Sequence, residues 1–171
     1  MIVENPKKAS RLERQRRQPY LPMLRFDIAA LQDELLGSIF PFVKVPVRIF
    51  FCKNDSLACI LKRENKAEIF IHLLLNDKAT PRQVLRHILA HEIIHLVLPP
   101  RILNGKQVVH HDTFRWYENR VVPNKQQSWA WIHYNFSGCL RSDKKAEGTF
   151  VKRNWKDYMP RERSSWEFVL S

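Results

Sequence analysis

Cysteine is scarce in this chain: Cys52, Cys59 and Cys139 are the only three in 171 residues, an odd number with no CxxC pair. A disulfide framework and a zinc ribbon are thereby excluded, and a reducing compartment is expected. Long apolar runs are missing too. Nothing approaches the roughly 18 residues of a membrane span, and no apolar stretch follows the N-terminal charges, so neither a span nor a signal peptide is expected. The cytoplasm or the nucleoid is the expected location, with no membrane partner. Acidic residues are few, 17 against 29 lysines and arginines, for a formal charge of +12. Such an excess attracts polyanions, nucleic acid first among them. There is no internal repeat and no low-complexity tract. With 44% hydrophobic residues the chain has material for a single compact domain and its core.

The stretch with chemistry in it is Thr80 to Pro100, TPRQVLRHILAHEIIHLVLPP. It contains HExxH as His91, Glu92 and His95. On a helix of 3.6 residues per turn, His91 and His95 lie one turn apart on one face, so both imidazoles reach one tetrahedral metal while Glu92 enters the same cleft. The spacing predicts a helix with Thr80 as N-cap, Pro81 at the first helical position, Gln83 completing a capping box, and Pro99-Pro100 as the stop. Val84, Leu85, Ile88, Leu89, Ile93, Ile94 and Leu96 make it apolar almost all round. Two histidines and a glutamate on a buried helix each need a partner, and one bound cation serves all three. A catalytic zinc has three protein ligands, so a further ligand is expected downstream, with His110, His111 and Glu118 as candidates.

The other segments are arranged around this helix. Residues 1–25 form a basic arm with seven cations against Glu4 and Glu13; it is either a solvated terminus or a polyanion-binding element. Helical spacing from Phe26 to Phe40 predicts a first helix. Val45–Cys52, Leu57–Lys62 and Ala67–Leu73 read as three antiparallel strands in a meander, the third with one face on the core. Ala67–Leu73, directly before the metal helix, is the candidate edge for an extended substrate. Cys52 and Cys59 are possible cross-strand neighbours, small hydrophobes and not ligands. Arg101–Val109 reads as a loop, and a short helix follows from His110 to the stop at Pro123. Asp112 is either its N-cap or a carboxylate that orients a ligand imidazole. His87 is expected to face solvent or to support the site from behind; His72 and His133 are not ligands. In the basic, aromatic segment 126–171, Trp129, Trp131 and His133 alternate as in a strand, and the aromatics complete the core or stack on bases.

In order, then, come a helix, a strand region, an HExxH helix over LRHILAHEIIHLVLPP, and a helix opening with His110-His111-Asp112-Thr113-Phe114. This arrangement resembles the SprT-like zinc metallopeptidases and, less closely, the YgjP-type metallopeptidases. Those families have a third ligand His followed four residues later by Phe at a helix start, which His110 and Phe114 match and His111 does not. The resemblance implies an α+β zincin-like domain over 26–125, with zinc held by His91, His95 and His110 and with Glu92 as general base for peptide hydrolysis by a metal-activated water. It implies a protein or peptide substrate. Some family members cleave proteins crosslinked to DNA, which suggests DNA as a partner for the basic arm and the C-terminal segment. The glycine usual after the third ligand is His111 here, and the C-terminal zinc ribbon of some members is absent. Leu98 and Arg101 stand where a metzincin has Gly and His. The alternative function is a nucleic-acid-binding protein with a structural or vestigial zinc site.

Overall fold

The structure, a computed structural model, describes residues 27–141 and 148–159. The basic arm of residues 1–25 and Trp166 lie outside them. The described residues form a mixture of four helices and small sheets, and no helix among them is long and apolar enough to cross a membrane.

The first helix, α1 (Ile28–Glu34), is capped by Asp27, whose side chain accepts from the Ala30 N–H at 2.9 Å. It continues as a π turn, Leu35–Ile39, closed by the Phe40 N–H donating to the Leu35 carbonyl. The wider turn stacks residues five apart, and Leu35 and Phe40 are both fully buried. The Gln32 amide donates to the Val47 carbonyl, and the Glu34 carboxylate receives Arg82 and Arg86, which ties α1 to the sheet and to the helix that carries HExxH.

The sheet consists of β1 (Val47–Cys52), β2 (Ala58–Arg63) and β3 (Lys66–His72) in the order β1-β3-β2. β2 and β3 form an antiparallel hairpin, but β1 pairs with β3 in parallel. The expected meander is therefore wrong, and so is the expected edge: β3 is the central strand. Its burial explains the order. Every residue from Ala67 to His72 is buried, whereas β1 exposes Arg48 and β2 exposes Lys62. A strand covered on both faces belongs inside a sheet. Glu68, 1% exposed, is neutralised there by Lys66 at 3.3 Å and Arg63 at 3.8 Å. Because β3 runs between β1 and β2, Cys52 and Cys59 are not cross-strand neighbours; they pair with His72 and Phe70 respectively.

Helix α2 (Arg82–Val97) crosses the sheet at the centre of the core and stops before Pro99-Pro100 as expected. Its start differs by one residue. Pro81 occupies the cap position in an extended conformation, and Thr80, expected as the cap, is buried with no hydrogen-bond partner for its hydroxyl among the described residues. Arg101–Val109 is not an open loop: β4 (Arg101–Leu103) and β5 (Lys106–Val108) form a hairpin around Asn104-Gly105, both with positive φ. An Asn-Gly pair in that conformation is the favoured two-residue hairpin turn. Helices α3 (Asp112–Val121) and α4 (Lys125–Phe136) follow. Trp129, Trp131 and His133, expected on a strand, lie on α4. Two short strands, β6 (Leu140–Arg141) and β7 (Phe150–Val151), complete the fold, and β7 also pairs with the Asp55–Leu57 link through Val151 N–H to Asp55 O and Leu57 N–H to Thr149 O.

Candidate metal centre

Helix α2 is buried between the sheet and the helices α3 and α4, so its polar side chains open only where the packing leaves a gap. His91 is half-buried, and His95 and Glu92 are 1% and 3% exposed. The β4–β5 hairpin returns the chain to this gap at His110, just before α3. There the Nε2 of His91 lies 3.2 Å from the Nε2 of His95 and 3.1 Å from the Nε2 of His110. Metal–nitrogen bonds of about 2.0–2.1 Å in tetrahedral directions separate ligand nitrogens by about 3.3 Å, close to what is seen. Among the described residues these three histidines form the one group able to hold a metal ion.

The tautomers also fit a metal. The Nδ1 of His91 lies 2.6 Å from Glu118 Oε1, so this nitrogen carries the proton and donates it to the carboxylate, leaving the Nε2 lone pair bare. That lone pair faces two ring nitrogens and can accept only one hydrogen bond. A cation between the three satisfies all of them. Burial holds His95 far below the ordinary histidine range, so it stays neutral, the form in which imidazole binds metal.

His111, the rival ligand, is otherwise engaged. Its Nδ1 accepts from the Phe114 N–H at 3.3 Å as the N-cap of α3, and its Nε2 lies 3.3 Å from the Pro99 carbonyl. Asp112, expected as cap or orienting carboxylate, is neither; it is the exposed first residue of the helix. The orienting carboxylate is Glu118, which binds His91 through the outer nitrogen and so is not a ligand in the arrangement seen. Phe114, fully buried, lies beneath all three rings at centroid distances of 5.1, 4.6 and 4.9 Å to His91, His95 and His110. It gives the site an apolar floor, which is the physical content of the His-xxx-Phe spacing.

Behind the centre, Glu118 also receives the Lys125 ammonium at 2.9 Å and faces His87 Nε2 at 3.7 Å. Burial pushes the Glu118 carboxyl up, but the His87 ring beside it and the hydrogen bonds from His91 and Lys125 outweigh that and hold the group well below the usual carboxylate range. His87 is fully buried rather than facing solvent, its ring edge-on to Trp129 at 5.6 Å. Burial lowers its pKa against the pull of Glu118. Sequence reasoning had Glu118 only as a candidate ligand and left Lys125 and Trp129 out of the site. The signal for Glu118 was its place one turn after Phe114, on the same face of α3.

A cleft of about 100 Å³ opens over His91, Glu92 and His110. His72, Cys52, Cys59 and His133 lie outside this three-histidine group. The C-terminal aromatics divide: Trp131, Phe136, Phe150 and Trp155 are buried, while Tyr134 and Tyr158 are 66% and 46% exposed. Comparison with known proteins adds no relative, since no protein-family model matches this chain and neither does any curated protein.

Proposed function

We propose that this chain is a zinc-dependent metallopeptidase of the SprT-like kind, with His91, His95 and His110 as ligands and Glu92 as general base. The observation that carries the reading is the convergence of three Nε2 atoms, two of the separations being 3.1 and 3.2 Å, beside a cleft that His91, Glu92 and His110 line. Zinc bound there supplies Lewis acidity, polarising a carbonyl and acidifying water. The chain's own residues do the rest. Glu92 follows His91 directly and lies at the cleft wall, positioned to take a proton from attacking water and return it to the leaving amine. Glu118 holds His91 in the tautomer that presents Nε2, and Phe114 keeps water from reaching the ligands from below.

The rival reading, a structural zinc in a nucleic-acid-binding protein, requires a closed site with four protein ligands. Among the described residues only three histidines converge, and the cleft reaches the centre. The decisive experiment is elemental analysis of the purified protein together with cleavage of an unfolded protein substrate. One zinc per chain and chelator-sensitive cleavage support the proposal; zinc without cleavage favours the structural reading.

A further inference from the structure

The cleft beside the metal centre is lined unevenly. Its lining combines His91, Glu92 and His110 with the apolar walls of Leu57, Ala58, Ile88 and Trp129, Ser56 and Thr149 adding small polar groups. Among the described residues, no lysine, arginine or aspartate lines it, and Glu92 is its one carboxylate. The walls come from four separate pieces of the fold and are held in place. Ile88 is on α2, one turn before Glu92. Leu57 is pinned by its N–H to the Thr149 carbonyl at 2.8 Å, with Ser56 bridged to Phe150 alongside. Trp129, on α4, rests against the edge of the buried His87.

Resting on the peptidase reading, we infer that the apolar part of this cleft is a specificity pocket for one medium-sized aliphatic side chain of the substrate, next to the scissile bond. Size and polarity both point there. The whole cleft, with the space over His91, Glu92 and His110 included, is about 100 Å³, less than the roughly 150 Å³ cavity that takes benzene, so tryptophan does not fit and the side chain taken is no larger than leucine, isoleucine, valine or methionine. An acidic side chain would meet the Glu92 carboxylate with no lysine or arginine among the described lining residues to offset it, and a small one would leave apolar wall wet. In hydrophobic pockets a single methylene changes discrimination by about 10- to 200-fold, so leucine should exceed glycine by at least tenfold.

Binding tests this independently of turnover. Zinc-loaded protein is titrated with three small hydroxamates whose side chain beside the metal-binding group is isobutyl, hydrogen or carboxymethyl. The isobutyl compound should bind at least tenfold tighter than the other two. Ala58→Leu, which fills the pocket, and Trp129→Ala, which removes a wall, should each reduce that preference to less than threefold; Ala58→Leu keeps the test valid if Trp129→Ala does not fold. Equal affinities, a carboxymethyl preference, or a preference unchanged in Ala58→Leu would overturn the pocket. Failure of all three to bind would overturn both the pocket and the metal site. An isobutyl preference without peptide cleavage leaves the pocket standing and removes the peptidase reading, whereas cleavage with no side-chain preference does the reverse.

Discussion

Replacing Glu118 with Gln leaves the shape of the side chain and removes its charge, which makes it the most informative change behind the metal centre. In the native protein the carboxylate accepts from His91 Nδ1 at 2.6 Å and from Lys125 Nζ at 2.9 Å, and it is only 7% exposed. The amide oxygen of Gln can still accept from Nδ1–H, so His91 keeps its tautomer. What is lost is the negative charge that makes the opposite ring nitrogen a stronger donor, and one of the two partners is left facing an amide N–H₂. Removing such a supporting carboxylate typically costs 10- to 100-fold in metal affinity, or about 1.4–2.7 kcal/mol. Glu118→Ala should lose at least as much, because His91 is then also free to take the other tautomer. Lys125→Met, which spares the His91 contact, should lose less than tenfold. Competition for zinc against a chromophoric chelator reads all three, with circular dichroism melts to show that each variant is folded. Wild-type zinc affinity in folded Glu118→Gln and Glu118→Ala would refute the claim that Glu118 supports the ligand.

Two further outcomes follow from contacts already described. His110→Ala should abolish stoichiometric zinc, while His111→Ala should keep it and lower stability by about 0.5–2 kcal/mol, the cost of losing an N-cap; the opposite pattern in metal analysis would exchange their roles. His72 is 1% exposed and accepts from the Leu74 N–H at 3.0 Å, and burial pushes its pKa down to about 4. The unfolded chain then binds this proton more readily than the folded one, so the stability present above about pH 6.5 is lost as pH falls toward 4, by about 3 kcal/mol in all. His72→Asn, which retains an acceptor but does not titrate, should remove that part of the slope in urea melts; an unchanged slope would contradict it.

Much of the site was legible because helices keep chemistry at fixed spacing. The i, i+4 pair His91 and His95, the adjacent Glu92 and the Pro99-Pro100 stop depend only on local geometry, and the structure places them together. The choice between His110 and His111 needed the tertiary contacts of His111, since both lie at the mouth of α3. The sheet order was misread because alternation in AEIFIH suggests one buried face, whereas Glu68, Phe70 and His72 on the other face are covered too. A buried Glu68 paired with Lys66 and Arg63 looks in sequence like a surface residue. Asn104-Gly105 was a readable hairpin signal in a segment taken for a loop. Trp129-Ala130-Trp131-Ile132-His133 alternates in polarity only in part, and the helix α4 won because its buried set, Ser128, Trp131, Ile132, Asn135 and Phe136, has helical spacing.

The central claim is that Glu92 moves a proton at a three-histidine metal site, and one comparison tests it most directly. Wild-type and Glu92→Gln proteins are loaded with zinc, their metal content measured, and their cleavage of an unfolded protein substrate followed in parallel. Equal zinc near one per chain with turnover reduced at least about 100-fold in Glu92→Gln is the predicted result, given the 10²–10⁴ typical of general-base catalysis. Undiminished turnover in the zinc-loaded Glu92→Gln protein would contradict it.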